Sequence, residues 1–135
     1  MTDIAICSDE TTLLASSSDR VVGIYDLRQK SLSGPPPVLP HPAFPSTLCT
    51  HLLSPYKVAT GAYDGFVRMW DLRSTKAPVN AFEVVGKMGE QVTDKNSKTG
   101  RKIMSIDWAS GILVAGGETG VDLWRVTENG DTLAS

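Results

Sequence analysis

The chain has 135 residues, 41% of them hydrophobic and 21% charged, and its formal net charge is −2. This composition fits a globular domain with a real core and excludes a largely disordered chain. The small negative charge gives no general attraction to nucleic acid or anionic lipid, so an RNA contact would need a local basic patch.

Signals for membranes, secretion and metals are also missing from the sequence. No apolar run approaches the roughly 18 residues of a membrane span, and we expect no membrane partner. The first residues lack the basic and apolar stretches of a secretory signal, so we expect an intracellular protein. Cys7 and Cys49 stand far apart without a CxxC pair. We therefore expect buried thiols, no metal site and no cofactor.

Three segments repeat one pattern, in which an acidic residue stands six positions before an aromatic one. The pairs are Asp19 with Tyr25, Asp64 with Trp70, and Glu118 with Trp124. The acidic residues follow one another at 45 and 54 residues. Four-stranded propeller blades repeat at about 40–45 residues, so the spacing favours a propeller.

Short strands are predicted in the same places within each repeat. The tight-turn dipeptide Asp64-Gly65 separates strands at 57–61 and 66–71. Both alternations of 66–71 contain apolar residues, as expected for a strand covered on both faces. Further strands are predicted at 4–7, 48–53 and 103–108, with 79–85 as the outer strand of the middle unit. No segment shows sustained helical spacing, so the predicted class is all-β.

Two long connections separate the units. Residues 31–45 hold six of the eight prolines, which predicts an extended surface crossing. Residues 86–102 carry five Lys or Arg against two acidic residues, and we expect a mobile polar insertion there. The blade units then fall at about 1–37, 38–85 and 103–126.

The Trp70-Asp71 end of the middle repeat resembles the WD-repeat family. That resemblance implies a β-propeller whose blades carry a hydrogen-bonded tetrad of His, Ser or Thr, Asp and Trp. The tetrad maps best onto His41, Thr60, Asp64 and Trp70. The other units depart from the pattern, with Tyr25 in place of Trp and Glu118 in place of Asp, and we expect weaker networks there.

Three blades do not close a ring, which takes at least about four. In the WD-repeat family the outer strand of the last blade usually comes from the N-terminus of the same chain. We therefore expect the 135 residues to form about three C-terminal blades of a seven-bladed ring.

Residues 70–78 and 102–108, followed by 113–117, are more specific than the repeat itself. They are similar to the C-terminal blades of the ribosome-biogenesis WD-repeat proteins of the Pescadillo–Bop complex. The resemblance implies a non-catalytic scaffold in large-subunit maturation, in the nucleolus and nucleoplasm of the nucleus. Implied partners are a Bop-type propeller protein, Pescadillo through that protein, and the pre-60S particle. A dynein-related AAA ATPase would be contacted through an N-terminal domain that these residues do not include.

Two other interpretations of the same residues stay open. His41 and Asp64 beside a hydroxyl would also suit a catalytic triad, although a structural tetrad is favoured. Arg28 and Arg73 follow Asp-x at the ends of two repeats. Such paired motifs resemble those of substrate receptors for cullin-RING ubiquitin ligases, or each Arg pairs with its own Asp.

Partner contacts are predicted at the turns that carry the repeat acids. Tyr63 precedes Asp64 and Arg20 follows Asp19 in equivalent turns. Tyrosine and arginine are frequent interface anchors. The lysines of 86–102 suit either a weak additional contact with rRNA or an ordinary solvated loop.

Overall fold

The computed structural model describes residues 3–28, 36–51, 54–84, 102–109, 111–118 and 120–126, which form strands joined by turns. The strands, numbered in chain order, are β1 (Asp3–Ile6), β2 (Thr12–Ser17), β3 (Val21–Asp26), β4 (Val38–Pro40), β5 (Pro45–His51), β6 (Ser54–Ala62), β7 (Phe66–Asp71), β8 (Asn80–Glu83), β9 (Ile103–Ala109), β10 (Ile112–Gly117) and β11 (Gly120–Arg125). No helix occurs among these residues, which confirms the all-β prediction. It follows that the described chain contains no helix able to span a membrane.

The strands form three antiparallel sheets in which sequence neighbours pair. The first sheet has the order β1-β2-β3-β4, the second β5-β6-β7-β8, and the third β9-β10-β11. The Asp64-Gly65 turn joins β6 to β7, and Gly65 has a φ of 84°, a conformation that glycine adopts without steric cost. Each sheet is an antiparallel strand meander, which is consistent with a partial WD-repeat blade.

The proline-rich connection differs from the expectation of a plain surface crossing. Val38–Pro40 pairs with β3 and is the outer strand of the first sheet, so it does not open the second unit as the predicted boundary at 37 and 38 implied. Proline is tolerated there because an edge strand needs no ladder bond from its outward side.

Two apolar clusters lie between the sheets and use opposite faces of the middle one. Trp70 and Val58 of the middle sheet pack with Leu14 and Val22 of the first. Met69 and its neighbours on the other face pack with residues of the third sheet, among them Ile103, Ile106, Trp108 and Leu113. Both faces of β7 are therefore buried, as predicted from the apolar residues in both of its alternations.

Polar contacts between the innermost strands reinforce this packing. The Asp3 carboxylate accepts from the Leu48 backbone N–H at 3.0 Å and from the Thr47 hydroxyl at 3.3 Å, which ties β1 to β5. The Ser46 hydroxyl donates to the Ile103 carbonyl, which ties β5 to β9. The outward faces of the first and third sheets expose Ile4 and Val121, at 54% and 71%. Of the insertion expected at 86–102, only Lys102 lies within the described residues.

Candidate interaction surfaces of the middle sheet

A hydrogen-bonded network of three side chains lies inside the middle sheet. Thr60 of β6 is fully buried, and its hydroxyl accepts from the Trp70 indole Nε1–H at 3.1 Å. The His41 Nε2 lies 2.7 Å from the same hydroxyl oxygen, and its Nδ1 lies 2.9 Å from the Leu39 carbonyl. A carbonyl only accepts, so His41 carries its proton on Nδ1 and accepts the Thr60 hydroxyl proton at Nε2. Burial is the main cause that lowers the pKa of His41.

Asp64, the fourth predicted tetrad member, is held elsewhere. Its carboxylate accepts from the Phe66 backbone N–H at 3.1 Å and receives the guanidinium of Arg68 at 3.2 and 2.6 Å. Both side chains of this pair are largely buried, with 10% of Arg68 and 15% of Asp64 exposed. The planar guanidinium matches a carboxylate with two bonds, so Arg68 takes both oxygens.

Sequence reasoning missed Arg68. The signal was present, since Asp64 and Arg68 flank the tight turn and face one another once β7 folds back on β6. The structure therefore joins His41, Thr60 and Trp70, and separates Asp64 into a buried ion pair.

The first and third sheets lack the hydroxyl at the centre of this network. In the strand registers Ala15 and Ala115 occupy the place of Thr60, each paired with the residue two positions before the repeat aromatic. The ring of Tyr25, which replaces Trp70, lies against Gly23, where an added Cβ would approach its hydroxyl oxygen to 2.9 Å. At this position the first and third sheets are stabilised by packing, whereas the middle sheet is stabilised by hydrogen bonds.

The buried network is unsuited to catalysis. The Thr60 hydroxyl is inaccessible. A catalytic triad would need Asp64 to orient the His41 ring, whereas the Leu39 carbonyl orients it. Burial raises the pKa of Cys7 to about 11 and that of Cys49 to about 12, so both thiols stay protonated. Within the described parts of the chain, no group of three His, Cys, Asp or Glu could hold a metal ion.

Tyr63 lies at the turn end of the middle sheet in an aromatic and cationic stack. Its ring stacks on Phe44 with centroids 5.1 Å apart, and the Lys102 ammonium lies 5.0 Å from its centroid. The Tyr63 backbone N–H also donates to the Phe44 carbonyl at 2.9 Å. Tyr63 is therefore half-buried and fixed in place. In the equivalent turn of the first sheet, exposed Arg20 has a φ of 66°.

Arg28 and Arg73 lie at the opposite ends of β3 and β7, and each pairs with its own aspartate. Arg28 binds both oxygens of Asp26 at 3.0 and 2.9 Å, and Arg73 binds both oxygens of Asp71 at 3.0 and 2.7 Å. These bonds lower the pKa of each aspartate. Each Arg thus pairs with its own Asp, which is one of the two interpretations that the sequence left open.

No family model matches the chain. The chain is 39% identical to a protein named Ribosome biogenesis protein YTM1 from Coprinopsis cinerea, over 96% of the chain and 27% of that protein. It is 38% identical to the protein of the same name from Laccaria bicolor, over 93% of the chain and 26% of the relative. A Ribosome biogenesis protein WDR12 homolog from Drosophila mojavensis is 28% identical over 78% of the chain and 22% of the relative. The chain thus spans about a quarter of the length of these curated relatives.

Proposed function

We propose that this chain, a homologue of the YTM1 and WDR12 ribosome biogenesis proteins over nearly its whole length, forms part of a WD-repeat scaffold for large-subunit maturation. The observation that carries the proposal is the 39% identity over 131 residues to a protein whose name refers to ribosome biogenesis. The structure supports it, because the antiparallel sheets are consistent with partial WD-repeat blades and the buried polar network stabilises the middle sheet. Such a scaffold acts by binding and needs no catalytic group.

The partners follow from the same proposal. The chain would join a Bop-type propeller protein and, through it, Pescadillo, within a pre-60S particle in the nucleolus and nucleoplasm. The dynein-related AAA ATPase would bind a separate N-terminal domain. The lysines of 86–102 would add a weak rRNA contact, and that segment lies outside the described residues except for Lys102.

Two surfaces of the described chain suit protein partners. The Tyr63 ring is stacked on Phe44 and lies close to the Lys102 ammonium, so it is preorganised and loses little conformational entropy on binding. Arg20 adds an exposed guanidinium at the equivalent turn. The opposite rim carries Arg28 and Arg73, with 74% and 64% of their side chains exposed.

Affinity purification of the tagged intact protein from cell extract, followed by mass spectrometry, tests the function. We expect large-subunit precursors to co-purify, and depletion of the protein to lower the ratio of 60S to 40S subunits on a sucrose gradient. Recovery of a cullin-RING adaptor without pre-ribosomal proteins would instead support the ligase-receptor alternative. The relatives give that alternative no support, since their names refer to ribosome biogenesis.

A further inference from the structure

The rim at the end of β7 also presents the start of β6, residues 54–57, as a bulge. In the β5–β6 ladder the pairing shifts between Thr50 and His51, so residues 55–57 have no partner in β5. Residues of such a bulge are left out of the ladder and bend the strand, and bulges are common at functional sites. Tyr56, in the middle of the bulge, is 46% exposed. One side of this segment is therefore open to another protein.

The other side of residues 54–57 is held against the chain that follows β7. The Tyr56 carbonyl accepts from the Leu72 backbone N–H at 2.8 Å. All four residues have strand backbone, and Ser54 is partly exposed. A residue that precedes proline is restricted to extended conformations, which keeps Ser54 in this geometry. The segment is thus an extended chain with an accessible hydroxyl near one end.

The sequence of this segment, Ser54-Pro55-Tyr56-Lys57, places a hydroxyl directly before a proline. It is the only Ser or Thr followed by proline in the 135 residues. Proline-directed protein kinases select this arrangement, because proline brings no backbone N–H that would stay unpaired in their apolar pocket. Many of them also select a basic residue three positions after the acceptor, by charge complementarity. Lys57 stands at that position.

We propose that Ser54 is phosphorylated by a proline-directed serine/threonine kinase. The Ser54 Oγ attacks the γ-phosphorus of ATP, the new O–P bond forms as the bond to ADP breaks, and the hydroxyl proton passes to the catalytic aspartate of the kinase. The phosphate adds about 1.5 to 2 negative charges at pH 7. These charges come to the rim that carries Arg73, whose guanidinium lies 4.9 Å from the Tyr56 ring centroid. The modification does not depend on the proposed scaffold function.

Treatment of the folded, intact protein with ATP and a purified cyclin-dependent kinase, followed by tandem mass spectrometry, tests the site directly. We expect a phosphate on Ser54, at a rate within about tenfold of that for a free peptide of residues 50–60, because the segment is already extended and open on one side. If the peptide is phosphorylated and the folded protein is not, the segment is inaccessible and the proposal is overturned. Failure of both substrates would overturn it as well.

Matched variants separate recognition of the motif from simple exposure of the hydroxyl. Pro55→Ala keeps Ser54 and should lower the rate at this residue by at least about tenfold, and Lys57→Met should lower it by about the same factor. Lys76→Met removes an exposed cation of the same rim outside the motif and should leave the rate unchanged. Unchanged melting temperatures show that the variants stay folded. Equal rates for Pro55→Ala and the unmodified protein would refute recognition of the motif.

The protein isolated from dividing cells gives the second readout. With phosphatases inhibited during isolation, we expect mass spectrometry to find a phosphorylated peptide that contains Ser54. Recovery of this peptide in the unmodified form alone would overturn the proposal. Neither readout measures ribosome assembly, so the proposed function stands or fails separately.

Discussion

At the scale of single residues, His41 makes folding sensitive to pH. Burial lowers its pKa below the ordinary value of 6.5, so the unfolded chain binds a proton more readily than the folded one. This stabilising contribution is present above pH 6.5 and is lost as pH falls toward the folded pKa. A proton on Nε2 would also face the Thr60 hydroxyl, which already accepts from Trp70.

We therefore expect the melting temperature of the intact protein to fall between pH 7 and pH 5, and to fall less in His41→Asn. Differential scanning fluorimetry across that range measures both. Parallel pH profiles of the two proteins would show that His41 is not responsible.

The Asp64–Arg68 pair gives a second prediction at this scale. Breaking a buried ion pair by removing one partner costs about 3–5 kcal/mol, because the other charge stays buried. Asp64→Ala should therefore destabilise the protein far more than Glu118→Ala, since Glu118 is an exposed residue at the equivalent turn of the third sheet. Denaturant unfolding measures the difference. The double variant Asp64→Leu/Arg68→Met should recover most of the loss, and equal losses in the two single variants would refute the assignment.

At the scale of the elements, Gly61 controls how closely β6 approaches its neighbours. A Cβ at this position would lie 2.6 Å from Ile103 Cγ2 and 2.9 Å from Thr47 Cγ2. We expect Gly61→Ala to cost about 1–3 kcal/mol in unfolding free energy by forcing β9 away. Gly111→Ala is the matched control, since its Cβ would meet nothing within 4 Å. If both variants unfold at the same denaturant concentration, the close packing of β6 on β9 does not limit stability.

The elements also show how far the sequence could predict the fold and the site. The predicted strand 66–71 coincides with β7 and the predicted 57–61 lies within β6, because alternation and the Asp64-Gly65 turn are local signals. The strand β4 was not predicted, because the prolines around it indicate only local restrictions on the backbone. The pairing of β4 with β3 is a contact between distant residues that no local pattern shows. Asp64 was placed in the tetrad because the spacing of the family pattern was followed alone, although the position of Arg68 across the tight turn was a signal for the ion pair.

At the scale of the whole molecule, the strands present two separate rims that are candidates for partner binding. Tyr63 and Arg20 lie at the turns that precede β7 and β3, whereas Arg28 and Arg73 lie beyond the other ends of these strands. Side chains at opposite ends of a six-residue strand share no contact, so their effects on binding should add.

We expect Tyr63→Ala in the intact protein to weaken binding of the Bop-type partner by at least about 2 kcal/mol, some thirtyfold, as for an interface hot spot. Arg20→Ala should cost less, because an exposed charge at the rim contributes mainly to the association rate. Isothermal titration calorimetry gives the affinities, and unchanged melting temperatures show that the variants stay folded. If both variants bind like the unmodified protein, this partner uses the opposite rim. Variants of Arg28 and Arg73 would then weaken its binding.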